Sequence, residues 1–111
     1  MPTTILHDLD AFAAALRAHP RVMLFKHSPV CPTSAAAKTE FQAFEADLPD
    51  VPTLFVDVIA DRAVARGIAE RTGVRHESPQ AILFELGAAT WSASHEAITR
   101  GSLHAAFAPR C

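Results

Sequence analysis

Short apolar runs alternate with amphipathic segments along this chain, and that alternation limits the folds it can adopt. Residues 22–25 (VMLF) and 53–58 (TLFVDV) are runs of the kind that form strands buried on both faces of a sheet. Between them, apolar residues recur at helical spacing in one stripe, made by Ala37, Phe41, Phe44 and Leu48. This alternation predicts the α/β class, with core strands that run parallel and are joined by right-handed crossovers.

The segments on either side of these runs continue the pattern. Residues 3–6 (TTIL) could form a short strand, and Asp8 is placed to cap a helix that Pro20 brings to an end. A further helix is predicted over residues 61–74, where an initial aspartate is the cap and Gly73 is the stop signal. Strand and helix therefore alternate over most of the chain.

The last third of the chain reads as a hairpin and a closing helix. Residues 81–86 and 90–95 are extended runs, and the intervening residues 87–89 (GAA) suit the connection of a hairpin. Residues 96–108 can form a helix, and Ser94 precedes it as a cap residue would. The hairpin is expected to add an antiparallel edge strand to the sheet.

The predicted element order is βαβαβαββα, a central mixed sheet flanked by helices. Since half of the 111 residues are hydrophobic, the chain has the size and composition of one compact core, and residues 1–111 are expected to form a single domain. The sequence shows no internal repeat, low-complexity tract or linker.

Charge and composition exclude some functions and leave others open. Ten Lys and Arg residues stand against twelve Asp and Glu residues, so there is no basic footprint for nucleic acid. The sequence has no signal peptide pattern and no apolar run of about 18 residues, so we expect a cytoplasmic protein that does not interact with membranes. Cys31 and Cys111 are too few for a disulfide scaffold, and a redox role is allowed.

Cys31 lies between a predicted buried strand and a predicted helix. Pro32 follows it at the first helical position, where a missing N–H costs nothing. The sulfur is therefore expected at a helix N-terminus, where unpaired amide donors and the helix dipole favour thiolate over thiol. Thiolate is the form that attacks disulfides.

Ser34 stands where a C-x-x-C motif would place its second thiol. Its hydroxyl could donate a hydrogen bond to the thiolate of Cys31, but it cannot resolve a mixed disulfide, so the motif is interpreted as monothiol. The alternative is that Cys31 is a small buried hydrophobic residue and Ser34 a solvated turn residue.

Ser78 and Pro79 come immediately before the first strand of the predicted hairpin. A cis peptide bond between them would stop the strand ladder and leave neighbouring backbone groups free to pair with an extended substrate. The alternative is an ordinary trans proline at the start of an edge strand, which base rates alone favour.

Three segments together carry a resemblance to a known family: FKHSPVCPTS at residues 25–34, HESPQ at 76–80 and WSASHEAIT at 91–99. In order and spacing they resemble the monothiol bacilliredoxin C family of the thioredoxin superfamily. The resemblance implies a thioredoxin-like fold and a thiol-disulfide oxidoreductase that removes bacillithiol, a cysteine-glucosamine-malate thiol, from protein mixed disulfides.

The resemblance also assigns roles to individual residues. Cys31 would be the attacking residue, Pro32 and Ser34 would flank the thiol, and Pro79 would be the cis-proline of the substrate groove beside Ser78. One departure is the residue just before the cysteine, a valine where a threonine is familiar in the family.

The implied mechanism needs no metal and no bound cofactor. Bacillithiol would be the thiol co-substrate, and the partners would be S-bacillithiolated client proteins and a redox partner protein. The thiol that regenerates Cys31 could be free bacillithiol, a partner protein or Cys111. Terminal residues are seldom placed for chemistry, which weighs against Cys111 as the resolving thiol.

Four further residues are candidate ligand contacts. Lys26 and His27 flank the strand end and could steady a thiolate or receive malate carboxylates, although for each alone the pattern favours a solvated side chain. His76 and Glu77 could contact an amino or carboxylate group of the ligand, which rests on their position in the family pattern.

Other functions fit the sequence less well. A zinc module is disfavoured because the sequence has no paired C-x-x-C or H-x-x-x-H motif. A hydrolase that uses Cys31 and His27 is disfavoured because no orienting Asn or Asp is evident. Two alternatives remain: a non-catalytic thioredoxin-like binding module, and a glutathione-dependent monothiol glutaredoxin-like protein, whose usual C-G-F-S motif is absent.

Overall fold

A computed structural model describes residues 3–108 of the chain. It contains five strands and four α-helices, with a short 3₁₀ turn at His95–Ala97 before the last helix. In chain order they are β1 (Thr3–Ile5), α1 (Leu9–Ala18), β2 (Arg21–His27), α2 (Pro32–Asp47), β3 (Thr53–Asp57), α3 (Arg62–Thr72), β4 (Gln80–Glu85), β5 (Ala88–Ser94) and α4 (Arg100–Phe107). The predicted order βαβαβαββα is confirmed. Within the described part of the chain, no helix could cross a membrane.

The five strands form one mixed sheet in the order β1-β3-β2-β4-β5. Strand β3 pairs in parallel with both β1 and β2, whereas β4 runs antiparallel to β2 and β5 antiparallel to β4. The predicted antiparallel edge strand is therefore β5. Because Lys26 near the end of β2 pairs with Gln80 at the start of β4, the loops that follow β2 and precede β4 leave the same end of the sheet.

Strand β2 is central and is buried along almost its whole length. Its side chains alternate between the two faces of the sheet. Val22 and Leu24 belong to the hydrophobic cluster beside α1 and α3, whereas Met23 and Phe25 belong to the cluster beside α2 and α4. The same alternation sends the next two side chains, Lys26 and His27, to opposite faces.

The apolar stripe predicted for the second helix is confirmed. Ala37, Phe41 and Phe44 are buried and Leu48 packs against the same cluster, so α2 covers one face of the sheet. The helix begins with Pro32, as the position of that proline predicted.

The predicted hairpin connection was wrong in detail. The turn consists of Leu86 and Gly87 alone, and β5 already begins at Ala88. Both turn residues have positive φ, 51° and 83°, as in the type I′ turns whose twist matches that of paired strands. An exposed leucine at such a position is not a usual turn signal, and the sequence pattern therefore favoured the longer GAA loop.

The predicted closing helix also begins later than expected. Ser94 precedes only the 3₁₀ turn, and its side chain caps nothing there. The cap of α4 is Thr99, whose hydroxyl accepts from the N–H of Ser102 while the Ser102 hydroxyl accepts from the N–H of Thr99. Asp61 does occupy the cap position of α3, but its carboxylate lies against His7 and bonds no helix N–H.

Candidate active site

Cys31 occupies the N-cap position of α2, directly after the turn that follows β2. Its N–H donates to the carbonyl of Ser28 at 3.2 Å, and its own carbonyl accepts from the N–H of Ala35 at 3.0 Å. The thiol is free, partly exposed, and makes no side-chain capping bond. The partly exposed Cys31 therefore lies at the positive end of a 16-residue helix.

Ser34 is fully buried rather than a solvated turn residue. Its Oγ accepts from the N–H of Ser28 at 2.9 Å and lies 2.8 Å from Nδ1 of His27. A hydrogen bond to the sulfur of Cys31, which the sequence suggested, is not among the contacts of Ser34. The hydroxyl of Ser34 instead links the first turn of α2 by hydrogen bonds to the residues that precede Cys31.

His27 lies on the α2 face of the sheet with only 8% of its surface exposed, so the prediction of a solvated side chain was wrong. Its ring stacks on Phe25 and contacts Phe55 at a centroid distance of 5.6 Å. Burial, together with the charge of Lys38, holds the pKa of His27 below its usual range, although Asp57 opposes this. The imidazole is therefore neutral at neutral pH.

Lys26 lies on the α3 face and is fully buried, so the prediction of a solvated side chain was wrong here too. Its Nζ is 3.0 Å from Nδ1 of His76 and donates to Oε1 of Gln80 at 3.2 Å. Burial lowers the pKa of Lys26 from 10.5 to about 8. Among the described residues, Lys26 forms no ion pair with a carboxylate.

Gln80 was missed by the sequence analysis, although it organises the loop before β4. Its Nε2 donates to the carbonyl of Arg75, and its Oε1 accepts from Lys26 and, at 3.4 Å, from the N–H of Glu77. The carboxylate of Glu77, a predicted ligand contact, accepts from the hydroxyl of Ser94 at 3.0 Å. The sequence signal that could have identified Gln80 is a polar amide side chain at the start of an otherwise apolar strand.

The Ser78–Pro79 peptide bond is cis, as predicted. The carbonyl of Pro79 accepts from the N–H of His95, which ties the loop to the end of β5. The Oγ of Ser78 is buried and has no hydrogen-bond partner among the described residues. A buried hydroxyl without a hydrogen-bond partner is unusual in a folded protein.

The sheet brings these parts together. The turn that carries Cys31 follows β2 and the loop that carries Pro79 precedes β4, so both lie at the same end of the sheet.

Cys111, the predicted resolving thiol, lies outside the described residues. Within residues 3–108, no group of three or more His, Cys, Asp or Glu side chains could hold a metal ion.

Replacing Ser34 by alanine is expected to lower the free energy of unfolding by about 1–3 kcal/mol. The substitution leaves the N–H of Ser28 and Nδ1 of His27 without their buried partner. Urea unfolding followed by circular dichroism measures the effect. The matched control is Ser92→Ala, an exposed serine, which should change stability by less than about 0.5 kcal/mol. Equal stability of the two variants would show that the Ser34 bonds contribute little.

Comparison with known proteins identifies the family. The family model described as "Monothiol bacilliredoxin BrxC" matches residues 4–103. A solved thioredoxin-fold structure with a suggested oxidoreductase activity is 34% identical, with a TM-score of 0.88 over 94% of this chain and 92% of that one.

Mitochondrial thioredoxin 3 from Saccharomyces cerevisiae has a TM-score of 0.75 at 14% identity, over 94% of this chain and 92% of that one. Thioredoxin from Fasciola hepatica has a TM-score of 0.74 at 12% identity, over 92% and 93%. At these identities the two thioredoxins show the fold alone. The family match and the thioredoxin fold together indicate a thiol-disulfide oxidoreductase. The chain therefore belongs to the monothiol bacilliredoxin family.

Proposed function

We propose that this protein removes bacillithiol from client proteins that carry it as a mixed disulfide, with Cys31 as the nucleophile. The observation that carries the proposal is the free, partly exposed thiol of Cys31 at the amino end of α2. Family membership supports thiol chemistry at this position. Because such mixed disulfides form when thiols are oxidised, we expect the protein to act during oxidative stress. The expected location of this activity is the cytoplasm.

The first step is a thiol-disulfide exchange. The thiolate of Cys31 attacks the bacillithiol sulfur, a new disulfide forms between Cys31 and bacillithiol, and the client disulfide bond breaks. The client leaves as a thiolate and takes a proton from water. The exchange conserves the number of disulfides, so the step needs no metal and no bound cofactor. The attacking sulfur belongs to the N-cap residue of α2.

The second step restores the thiol of Cys31. A free bacillithiol thiolate attacks the sulfur of the bound bacillithiol, which releases Cys31 and forms bacillithiol disulfide. A redox partner protein or Cys111 could supply the attacking thiol instead. Ser34 cannot, because a hydroxyl does not displace a thiolate from a disulfide, and its Oγ is already bonded to Ser28 and His27.

The client is expected to bind across the end of the sheet. Val30, which precedes Cys31, has 78% of its surface exposed and offers an apolar contact. Ser78 offers a buried hydroxyl without a partner, beside Pro79. These two positions would flank a disulfide that approaches Cys31 and so select clients whose modified cysteine lies in an accessible segment.

The test is turnover on a client protein that carries a single bacillithiol mixed disulfide, with bacillithiol supplied as the reductant. We expect many equivalents of client thiol to be released per enzyme, and mass spectrometry to find a bacillithiol adduct on Cys31 before the reductant is added. Release of one equivalent or less would favour the non-catalytic binding module. Equal turnover on a glutathionylated client, with glutathione as reductant, would favour a glutaredoxin-like protein.

A further inference from the structure

The ammonium group of Lys26 is buried without an anion to balance it. Both of its hydrogen-bond acceptors, Nδ1 of His76 and Oε1 of Gln80, belong to neutral groups. Buried charges in proteins are usually paired with an opposite charge, because desolvation of an isolated ion is costly. No carboxylate among residues 3–108 forms an ion pair with Lys26, so no anionic side chain in that range balances its positive charge directly.

This lysine determines which way His76 presents its proton. An ammonium group only donates, so Nδ1 of His76 must accept from Lys26, and in the neutral ring the proton is then on Nε2. His76 itself is exposed, and Nε2 has no hydrogen-bond partner among the described residues. The imidazole therefore offers solvent an N–H donor that the ammonium behind it polarises.

The charges around His76 are mainly positive. Its pKa is lowered by partial desolvation of the ring, by the charge of Lys26 and by the charge of Arg66 on α3, whereas Glu77 raises it. The carboxylate of Glu77 is bonded to Ser94 on the neighbouring strand. Two cationic groups thus act on an exposed donor, a combination that suits a carboxylate ligand.

His76 also lies close in sequence to the proposed substrate groove. It comes two residues before Ser78, in the loop that leaves the same end of the sheet as the turn carrying Cys31. The hydroxyl of Ser78 is buried and unpartnered in the same loop. Because this loop and the turn carrying Cys31 leave the same end of the sheet, a ligand joined to Cys31 could extend over the loop.

We propose that His76 and Arg66, with Lys26 behind them, form a subsite that binds a carboxylate of the small thiol reacting at Cys31. The inference rests on the proposed function, because the malate part of bacillithiol supplies such carboxylates. An acidic side chain of the client protein is the other source of the same group. Lys26 is a positioning residue here, since it acts on the ligand through His76.

The experiment compares two mixed disulfides of one client, made with bacillithiol and with cysteinyl-glucosamine, which lacks the malate. The wild-type protein should prefer the malate-bearing substrate by about tenfold in kcat/KM, mainly through a lower KM. Lys26→Met and Arg66→Gln should each reduce that preference at least about threefold, because each removes a positive charge that acts on the ligand carboxylate. Lys38→Met removes a positive charge near His27 instead and should keep the preference.

The possible outcomes distinguish failure of the carboxylate subsite from failure of the proposed function. If the wild-type protein turns over neither substrate, the proposed function fails. If it turns over both equally, the subsite is overturned while the function stands. If Lys26→Met slows both substrates to the same extent, Lys26 only supports the fold of the loop. A preference that disappears when acidic residues near the client cysteine are neutralised would assign the subsite to the client instead of the small thiol.

A binding measurement gives an independent readout. Titration of the wild-type protein with free malate should shift the ¹⁵N resonance of His76 Nε2, and methyl glucoside, which has no carboxylate, should leave it unchanged. The shift should be absent in Arg66→Gln if that arginine holds the ligand. An unperturbed His76 at saturating malate would overturn the subsite.

Discussion

Cys31→Ser should release bacillithiol from a mixed-disulfide client no faster than the uncatalysed exchange, a loss of at least about a thousandfold. A serine hydroxyl stays protonated at neutral pH and does not attack a disulfide. Cys31 is the free cysteine of the described residues, and Ser34 occupies the position where a second thiol would stand. The initial rate of client-thiol release under saturating client measures the effect.

The matched control makes the same chemical change at the other cysteine. In a single turnover without added reductant, Cys111→Ser should release the first client thiol at the wild-type rate, because a resolving thiol acts only after that step. Slower repeated turnover in Cys111→Ser would identify Cys111 as the resolver. Wild-type activity in Cys31→Ser would contradict the proposed reaction and leave the binding module as the better account.

Phe25→Ala is expected to lower the free energy of unfolding by about 3–5 kcal/mol, a large part of the stability of a domain of this size. Phe25 is fully buried in β2, stacks on Phe41 at a centroid distance of 5.0 Å and contacts Phe55. Its loss would leave a cavity beneath the ring of His27, which stacks on it. The midpoint and slope of urea unfolding give the change in stability.

The control for that experiment is Leu86→Ala in the hairpin turn. Leu86 has 87% of its surface exposed, so truncation should change stability by less than about 0.5 kcal/mol. A cost for Phe25→Ala no greater than that for Leu86→Ala would mean that the aromatic cluster of β2 and α2 adds little to stability.

The sequence predicted those parts of the fold that depend on neighbours along the chain. The stripe of Ala37, Phe41 and Phe44 follows from helical periodicity, and burial of β2 follows from its continuous apolar run. Both patterns are local, so each was visible without knowledge of the tertiary structure. Pro32 likewise marked the start of α2 through its own backbone chemistry.

The polar interior of the site could not be predicted in the same way. Lys26 and His27 were expected at the surface, since charged and polar side chains are usually solvated. The groups that satisfy Lys26 come from His76 and Gln80, about fifty residues away along the chain, and the antiparallel register of β2 and β4 brings them close. Only that register shows why Gln80 belongs to the site.

Burial of Lys26 links the folding of this protein to proton release. The pKa of its amine falls from 10.5 in the unfolded chain to about 8 in the folded one, so between these values the unfolded chain holds the proton more often. Folding in mildly alkaline solution therefore expels a proton from this amine, and its contribution to the free energy of unfolding rises with pH through that window. At neutral pH Lys26 stays charged, so this contribution to the free energy of unfolding is absent. A lysine in an ion pair behaves in the opposite way, because its pKa is raised and its contribution to stability is lost as pH rises.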